Sequence, residues 1–315
     1  MRLRTELPFV QMELRSIENY QSLVNTKRAT ETARSVFFEC TGRKSVNDTL
    51  NVLNIEAIMK NGKRSISPEK NRNLMVQRAS SGSLSRIWLY GHHTVMAALA
   101  NRNRKTYRLV MTQNSLSQLP NEIQPEILDN TEIERLLPPG AVHQGLALLT
   151  SPLPAVLLDD ILGQTSNQSV IVVLDQVNDP RNVGAVLRSA AAFGSDAVIA
   201  PDRHTPEATA VLAKAASGAL EKIPFIRVTN LARTLDQLKD AGYWCAGFTA
   251  DADQTLAQAK LSGKIVMVFG EEGRGMRRLT RAKCDYLVRI SIDQEMDSLN
   301  LSAAAAISLY ELKRN

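Results

Sequence analysis

Cysteine is scarce in this chain of 315 residues: Cys40, Cys245 and Cys284 are odd in number and lack metal-ligand spacing. That excludes a disulfide framework and a zinc-finger pattern, and it fits buried thiols in a reducing compartment. The four histidines (His92, His93, His143, His204) form no ligand pattern either, so no metal is expected. No apolar run approaches the ~18 residues that a membrane span needs, so a soluble, cytoplasmic protein without a membrane partner is expected. An excess of one charge is also missing from most of the chain. Residues 1–80 carry 14 Lys and Arg against 8 Asp and Glu, and the remainder carries 24 of each. Any affinity of the body for nucleic acid must therefore come from local clusters rather than from a global field. Two such clusters exist: Arg102, Arg104, Lys105 and Arg108, then Arg274, Arg277, Arg278, Arg281 and Lys283.

One further absence is local. The β-branched run Val170 to Leu174 has the pattern of a strand buried on both faces. A dinucleotide-binding fold would follow that strand with a glycine-rich turn. Here Asp175-Gln-Val-Asn-Asp-Pro follows instead, with no glycine before Gly184, and the glycine loop comes late, as Gly270, Gly273 and Gly275. The misplaced loop argues against NAD binding.

The chain divides by composition. Residues 1–84 are rich in Ser, Asn, Thr and Arg and read as a disordered basic extension. Leu50 to Met59 is its only helix-like patch, and Glu6, Glu13 and Glu18 are wrong for an acid-poor transit peptide. A transit peptide, a basic RNA-binding tail and a start codon placed too far upstream all remain open. Residues 85–151 form a small α/β unit: Ile87–Gly91 leads into a helix at His92–Ala100, strands stand at Tyr107–Met111 and Val142–Leu149, and a short helix at Glu132–Leu137. His143 in the last strand suits structural packing at least as well as RNA contact. Residues 152–168 are a linker marked by Pro152 and Pro154. Residues 169–315 alternate strands (Val170–Leu174, Ala197–Ala200, Phe225–Val228, Tyr243–Phe248, Ile265–Phe269) with helices. That alternation implies a parallel sheet covered on both faces. Among the helices, Asn182 is the expected N-cap of one, and another runs from Glu207 into Lys214–Glu221.

Three stretches carry the chemistry: Val170–Gly194 (IVVLDQVNDPRNVGAVLRSAAAFG from Ile171), Ile265–Gly275 (IVMVFGEEGRG) and Met296–Ala306 (MDSLNLSAAAA). In this order they resemble the three signature motifs of the SpoU family of RNA ribose 2'-O-methyltransferases, part of the knotted SPOUT class. The likeness runs from about Ile87 to the C-terminus. It implies an α/β fold with a trefoil-knotted methyltransferase domain behind a smaller N-terminal α/β substrate-binding domain. S-adenosylmethionine is the implied cofactor, held by main chain around Gly270, Ile290 and Leu299. The implied catalytic positions are Asn182, Arg188, Glu272, Ser298 and Asn300. A guanidinium holds its proton beyond pH ~12, so Arg188 is better suited to orienting phosphate and stabilising a forming alkoxide than to acting as a base. Glu272 then either accepts the proton or holds Arg188. Ser298 and Asn300 stand where helix caps would, and a site role is favoured.

The distinct N-terminal unit and the VHQG stretch (residues 142–145) look most like the bacterial enzymes that modify a guanosine of large-subunit ribosomal RNA. A tRNA guanosine enzyme of the same family is the alternative, and a non-catalytic RNA-binding or ribosome-assembly factor is the rival from another class. Small residues flanking Arg188 suit close helix packing, and the resemblance implies a homodimer that pairs there.

Overall fold

The computed structural model describes residues 86–119, 123–163, 166–293, 295–296 and 298–314. The expected extension, with its patch at 50–59, lies outside the described residues. So does Cys40.

The chain opens on β1 (Ile87–Tyr90) and α1 (His92–Ala100), then β2 (Thr106–Met111). A 3-10 turn at Gln113–Gln118 leads to β3 (Glu126–Ile127) and α2 (Asn130–Leu136). The last strand of this part is β4 (Leu146–Thr150). It starts later than the expected Val142, because His143–Gly145 turn back on themselves. Gln144 and Gly145 both take positive φ, 57° and 73°, which no strand accommodates. The four strands form one sheet in the order β1-β4-β2-β3.

The stretch expected as a linker contains a short helix, α3 (Leu158–Leu162). Next come β5 (Ser169–Leu174), α4 (Pro180–Ala192), β6 (Ala197–Pro201) and α5 (Ala210–Ala216). The expected helix into Glu221 stops early, because Ser217 and Gly218 both turn left-handed before a 3-10 turn at Ala219–Glu221. The chain continues through β7 (Phe225–Val228), α6 (Leu231–Asp240), β8 (Trp244–Phe248), β9 (Gln254–Thr255) and α7 (Leu256–Ala259). It closes with β10 (Lys264–Phe269), α8 (Arg278–Lys283), β11 (Tyr286–Arg289) and α9 (Leu301–Arg314).

The second sheet has seven strands in the order β7-β6-β5-β10-β8-β11-β9, and all its pairings are parallel. Its apolar runs are continuous because the pleat sends alternate residues into two different cores. Ile171 and Val173 of β5 enter one core with Leu231, Leu235 and Leu238 of α6. Val172 and Leu174 enter the other with Val183, Val186 and Leu187 of α4.

Helix α4 starts one turn earlier than the expected cap. Asp179 is the N-cap, its side chain accepting from Arg181 N, and Pro180 occupies the first turn. Proline there has its φ already set for a helix and gives up only an N–H with no helical partner. Asn182 is thereby released from capping and sits inside the helix. Gly184 faces α5 so closely that a Cβ would lie 2.6 Å from both Ala215 Cβ and Leu212 O. The close helix approach expected of this small-residue face is thus met within the chain at Gly184, whereas Arg188 and Ala192 are exposed.

The two sheets share a buried junction. Arg104 Nη2 pairs with Glu221 Oε1, the two side chains being 1% and 4% exposed. Arg104 Nε and Asn101 Nδ2 donate to Glu221 Oε2 at 3.2 and 2.7 Å, and Arg104 Nη1 donates to Ser151 O at 2.9 Å. Across the same junction Thr94 Oγ1 donates to Ala213 O at 3.3 Å.

Candidate active site

In an open parallel sheet, ligands gather at the carboxyl ends of the strands. Loops from three distant parts of this chain meet there. β5 leads into α4, β10 into the glycine loop, and the segment after β11 into α9.

Glu272 is the hub. Its Oε1 accepts from Asn182 Nδ2 at 3.0 Å, from Asn300 Nδ2 at 2.8 Å and from Leu301 N at 3.0 Å. Asn300 Nδ2 also donates to Asn182 Oδ1 at 3.3 Å, which closes a triangle of side chains. Asn300 has a second task. Its Oδ1 accepts from Ser302 N at 2.9 Å and Ala303 N at 3.4 Å, so it caps α9 with one end and holds Glu272 with the other. All three donors crowd onto one oxygen of the Glu272 carboxylate. Among the described residues Oε2 accepts no hydrogen bond, so one carboxylate oxygen is held and the other is open.

The loop that presents Glu272 is closed on itself. Glu271 N donates to Gly275 O at 3.1 Å, and Gly275 N to Glu271 O at 2.8 Å. A Cβ on Gly270 would stand 2.1 Å from Gly275 C, so only glycine fits at the mouth of the loop. Gly273 and Gly275 take φ of 82° and 68°, values that suit glycine.

Three of the five residues expected to be catalytic (Asn182, Glu272 and Asn300) are therefore brought together, and two are not. Arg188 is exposed and, among the described residues, makes no hydrogen bond or ion pair. Six residues after Asn182, it lies ~9 Å further along the helix and ~120° around it. Ser298 is exposed, without a partner among the described residues, and does not cap α9. The expected cofactor positions Gly270, Ile290 and Leu299 lie in irregular main chain flanking β10, β11 and α9. β8 runs between β10 and β11, and its end packs against theirs. Phe248 stacks on Phe269 with centroids 4.4 Å apart, and Thr249 N donates to Val288 O at 3.0 Å.

One site residue escaped sequence reasoning. Asp175 is fully buried at the end of β5, paired with Arg277 just beyond the glycine loop. The available signal was a carboxylate closing an unbroken apolar run, where an unpaired charge would be too costly to bury.

The basic clusters sort into committed and free residues. Arg277, Arg281 and Lys283 pair with Asp175, Asp251 and Asp236. Arg104 is spent on Glu221 and Arg108 on Glu126. Arg102, Arg274 and Arg278 are exposed and unpartnered among the described residues. His143 is 7% exposed, and its Nδ1 accepts from Gly145 N at 3.1 Å. It helps line a shallow cleft of about 470 Å³ with Thr112, Ser115 and Asn130, apart from the Glu272 cluster. Burial pushes the thiols of Cys245 and Cys284 up to about 12, which makes both poor nucleophiles.

Residues 169–310 match the SpoU rRNA methylase family. A 23S rRNA (guanosine-2'-O-)-methyltransferase RlmB from Pseudomonas putida is 39% identical over 241 residues, which is 72% of this chain and 95% of that one. The enzyme of the same name from Vibrio cholerae is 39% identical over 248 residues, 73% of this chain and 98% of that one. In fold, the chain resembles the SpoU methyltransferase AviRb from Streptomyces viridochromogenes, solved with AdoMet. The TM-score is 0.63 at 20% identity, over 75% of this chain and 91% of that one. With its three motifs joined at one carboxylate and relatives matched over nearly their whole length, this chain belongs to the SpoU rRNA methylase family.

Proposed function

We propose that the protein is an S-adenosylmethionine-dependent RNA 2'-O-ribose methyltransferase acting on a guanosine of large-subunit ribosomal RNA. The observation that carries this reading is the Glu272 hub, which ties Asn182, 90 residues away, to Asn300, 28 residues away. Family membership and the activity of the 39%-identical relatives point to the reaction and the RNA.

The residues present suit the cofactor. Gly270, Ile290 and Leu299 offer main-chain donors and acceptors beside neighbouring strand ends, and Gly270 keeps its loop tight against the mouth. When bound, S-adenosylmethionine supplies a methyl group on a positively charged sulfur. The chain's own residues do the rest. The open Oε2 of Glu272 accepts the hydrogen of the ribose 2'-hydroxyl and takes its proton as the oxygen is methylated. Asn182 and Asn300 hold the other oxygen, so the carboxylate does not rotate away. Arg188 is free to bind the RNA phosphate and to stabilise developing charge on the ribose oxygen. Ser298 lies in the segment leading to the hub and contacts substrate or cofactor.

Three structural readings go with this one. The segment from β10 to α9 is threaded as a trefoil knot; family membership supports it, as does the insertion of β10 between β5 and β8. The protein works as a homodimer through α4 and α9, which pack on each other; Ile307 and Tyr310 expose 44% and 56% of their surface, Tyr310 standing edge-on to Phe193 just past α4. Residues 85–151 are the RNA substrate-binding domain, 152–168 the linker and 169–315 the catalytic domain, while residues 1–84 add phosphate affinity. The relatives' match over 241 and 248 residues supports a two-part body.

Ribose-methylation mapping on total RNA, with and without the gene, tests the function. A lost guanosine signal in 23S-type RNA is expected. A lost tRNA signal instead would make this a tRNA enzyme. No lost signal, together with no affinity for S-adenosylmethionine in a titration, would make it an assembly factor.

A further inference from the structure

Asp175 and Arg277 are 102 residues apart and meet through three contacts. Asp175 Oδ1 accepts from Arg277 Nε at 2.7 Å and lies 2.7 Å from Nη2, while Oδ2 accepts from the Arg277 main-chain N at 2.9 Å. The carboxylate is fully buried and both its oxygens are used, whereas 43% of the Arg277 side chain is exposed. Asp175 is itself anchored, because its N donates to Phe269 O at 2.8 Å, one step beyond the last paired residues of β5 and β10. Phe269 leads into the glycine loop and Arg277 leads out of it. The single residue that follows β5 therefore grips both stems of the loop whose tip carries Glu272.

From this geometry we propose that Asp175 and Arg277 form a clamp that sets the position of Glu272, which makes both of them positioning residues for methyl transfer. Ordinary stabilisation is a poor account of the arrangement. A buried carboxylate costs much to desolvate, and an apolar pair of equal volume would hold a loop as firmly. What the ion pair adds is direction. A planar guanidinium with two N–H groups on one oxygen and its own amide on the other fixes the angle at which the chain leaves the loop. The Glu272 carboxylate has one oxygen held and one open, and its use depends on where that open oxygen points. A displacement of ~1 Å at a reacting group can cost ~100-fold in rate.

The proposal rests on the role given to Glu272 above, and its test separates the two. The full-length protein is prepared as Asp175→Asn, Arg277→Lys, Glu272→Gln and the double variant Asp175→Asn/Glu272→Gln. Thermal melting, S-adenosylmethionine titration and steady-state methylation of the RNA are measured on each. Asp175→Asn and Arg277→Lys are expected to melt cooperatively. Their kcat should fall roughly 10- to 100-fold, while KM for RNA and donor affinity stay within about threefold. In the Glu272→Gln background, Asp175→Asn should cost less than about threefold more, because both changes disable one group. A silent Glu272→Gln sinks the role of Glu272 and the clamp with it. A damaging Glu272→Gln with fully multiplying losses sinks the clamp alone. Near wild-type turnover in both clamp variants overturns the proposal, as does loss of the thermal transition in both.

Discussion

Asn182 and Arg188 stand six residues apart on one helix, and the structure treats them in opposite ways. Asn182 is tied by hydrogen bonds to Glu272 and Asn300. Arg188, less than two turns on, is exposed and unpartnered among the described residues. On the roles proposed above, the difference separates what the chain builds by itself from what it holds in readiness. A carboxylate that must meet a reacting hydroxyl at a set angle gains from being locked before substrate arrives. A guanidinium meant for a phosphate would gain nothing from an internal carboxylate, which it would have to abandon on binding.

That contrast can be broken at several points. Arg188→Ala should have the largest effect, roughly a 100- to 1,000-fold loss of turnover. Stability should stay within about 0.5 kcal/mol, since the side chain is exposed and makes no hydrogen bond or ion pair among the described residues. Single-turnover methylation and a thermal melt check both halves, and a tenfold rate effect would demote Arg188 to a peripheral contact. Arg188→Lys should rescue little, because a point charge does not replace a planar fork.

Glu272→Gln comes next, with a rate loss of about 100-fold. A rate–pH profile should show partial recovery as pH rises and hydroxide takes over the lost acceptor's task. A variant equally slow at every pH would leave Glu272 a structural hub only.

Asn300→Ala should differ in kind, because it removes a helix cap as well as a hub contact. Unfolding in urea should show a loss of ~1 kcal/mol, and turnover should fall about tenfold as Glu272 loosens. If stability falls and the rate does not, the hub is scaffolding.

The smallest effects belong to the surface arginines. Replacing Arg274 or Arg278 by Ala should lower the slope of log affinity against log salt by about 1 each, as one phosphate contact disappears. Arg281→Ala should leave the slope alone, because that side chain is committed to Asp251. Equal slopes for all three would show that an internal ion pair does not keep an arginine from RNA.

The sequence carried more of the fold than of the site, and the physical reasons differ. β5 and β10 were legible because a two-faced buried strand writes an unbroken apolar run. The start of α4 was misread because Asn182 and Asp179 are both good caps, and Pro180 decides between them only through backbone geometry. The early stop of α5 turns on left-handed Ser217, a conformation that composition does not betray. β9, of two residues, and α7, of little more than one turn, are too short for a periodic signal. In the site, Asn182, Glu272 and Asn300 were named through family likeness, but that they share one carboxylate oxygen is a fact of three dimensions. The Asp175–Arg277 pair was hidden because its partners are 102 residues apart. Arg277 also stood in a run of arginines that reads as a uniform basic surface, although only some of them are free.

The buried junction between the sheets bears on how such a chain can be taken apart or recombined. Arg104 belongs to the small sheet's part of the chain and Glu221 to the other, yet neither side chain reaches solvent. A fragment ending near residue 151 would carry a guanidinium whose carboxylate stayed behind. A chimera grafting this small sheet onto a different catalytic body would inherit the same orphan unless residue 221 travelled with it. The boundary at which the molecule can be cut is therefore not the boundary at which its sheets divide.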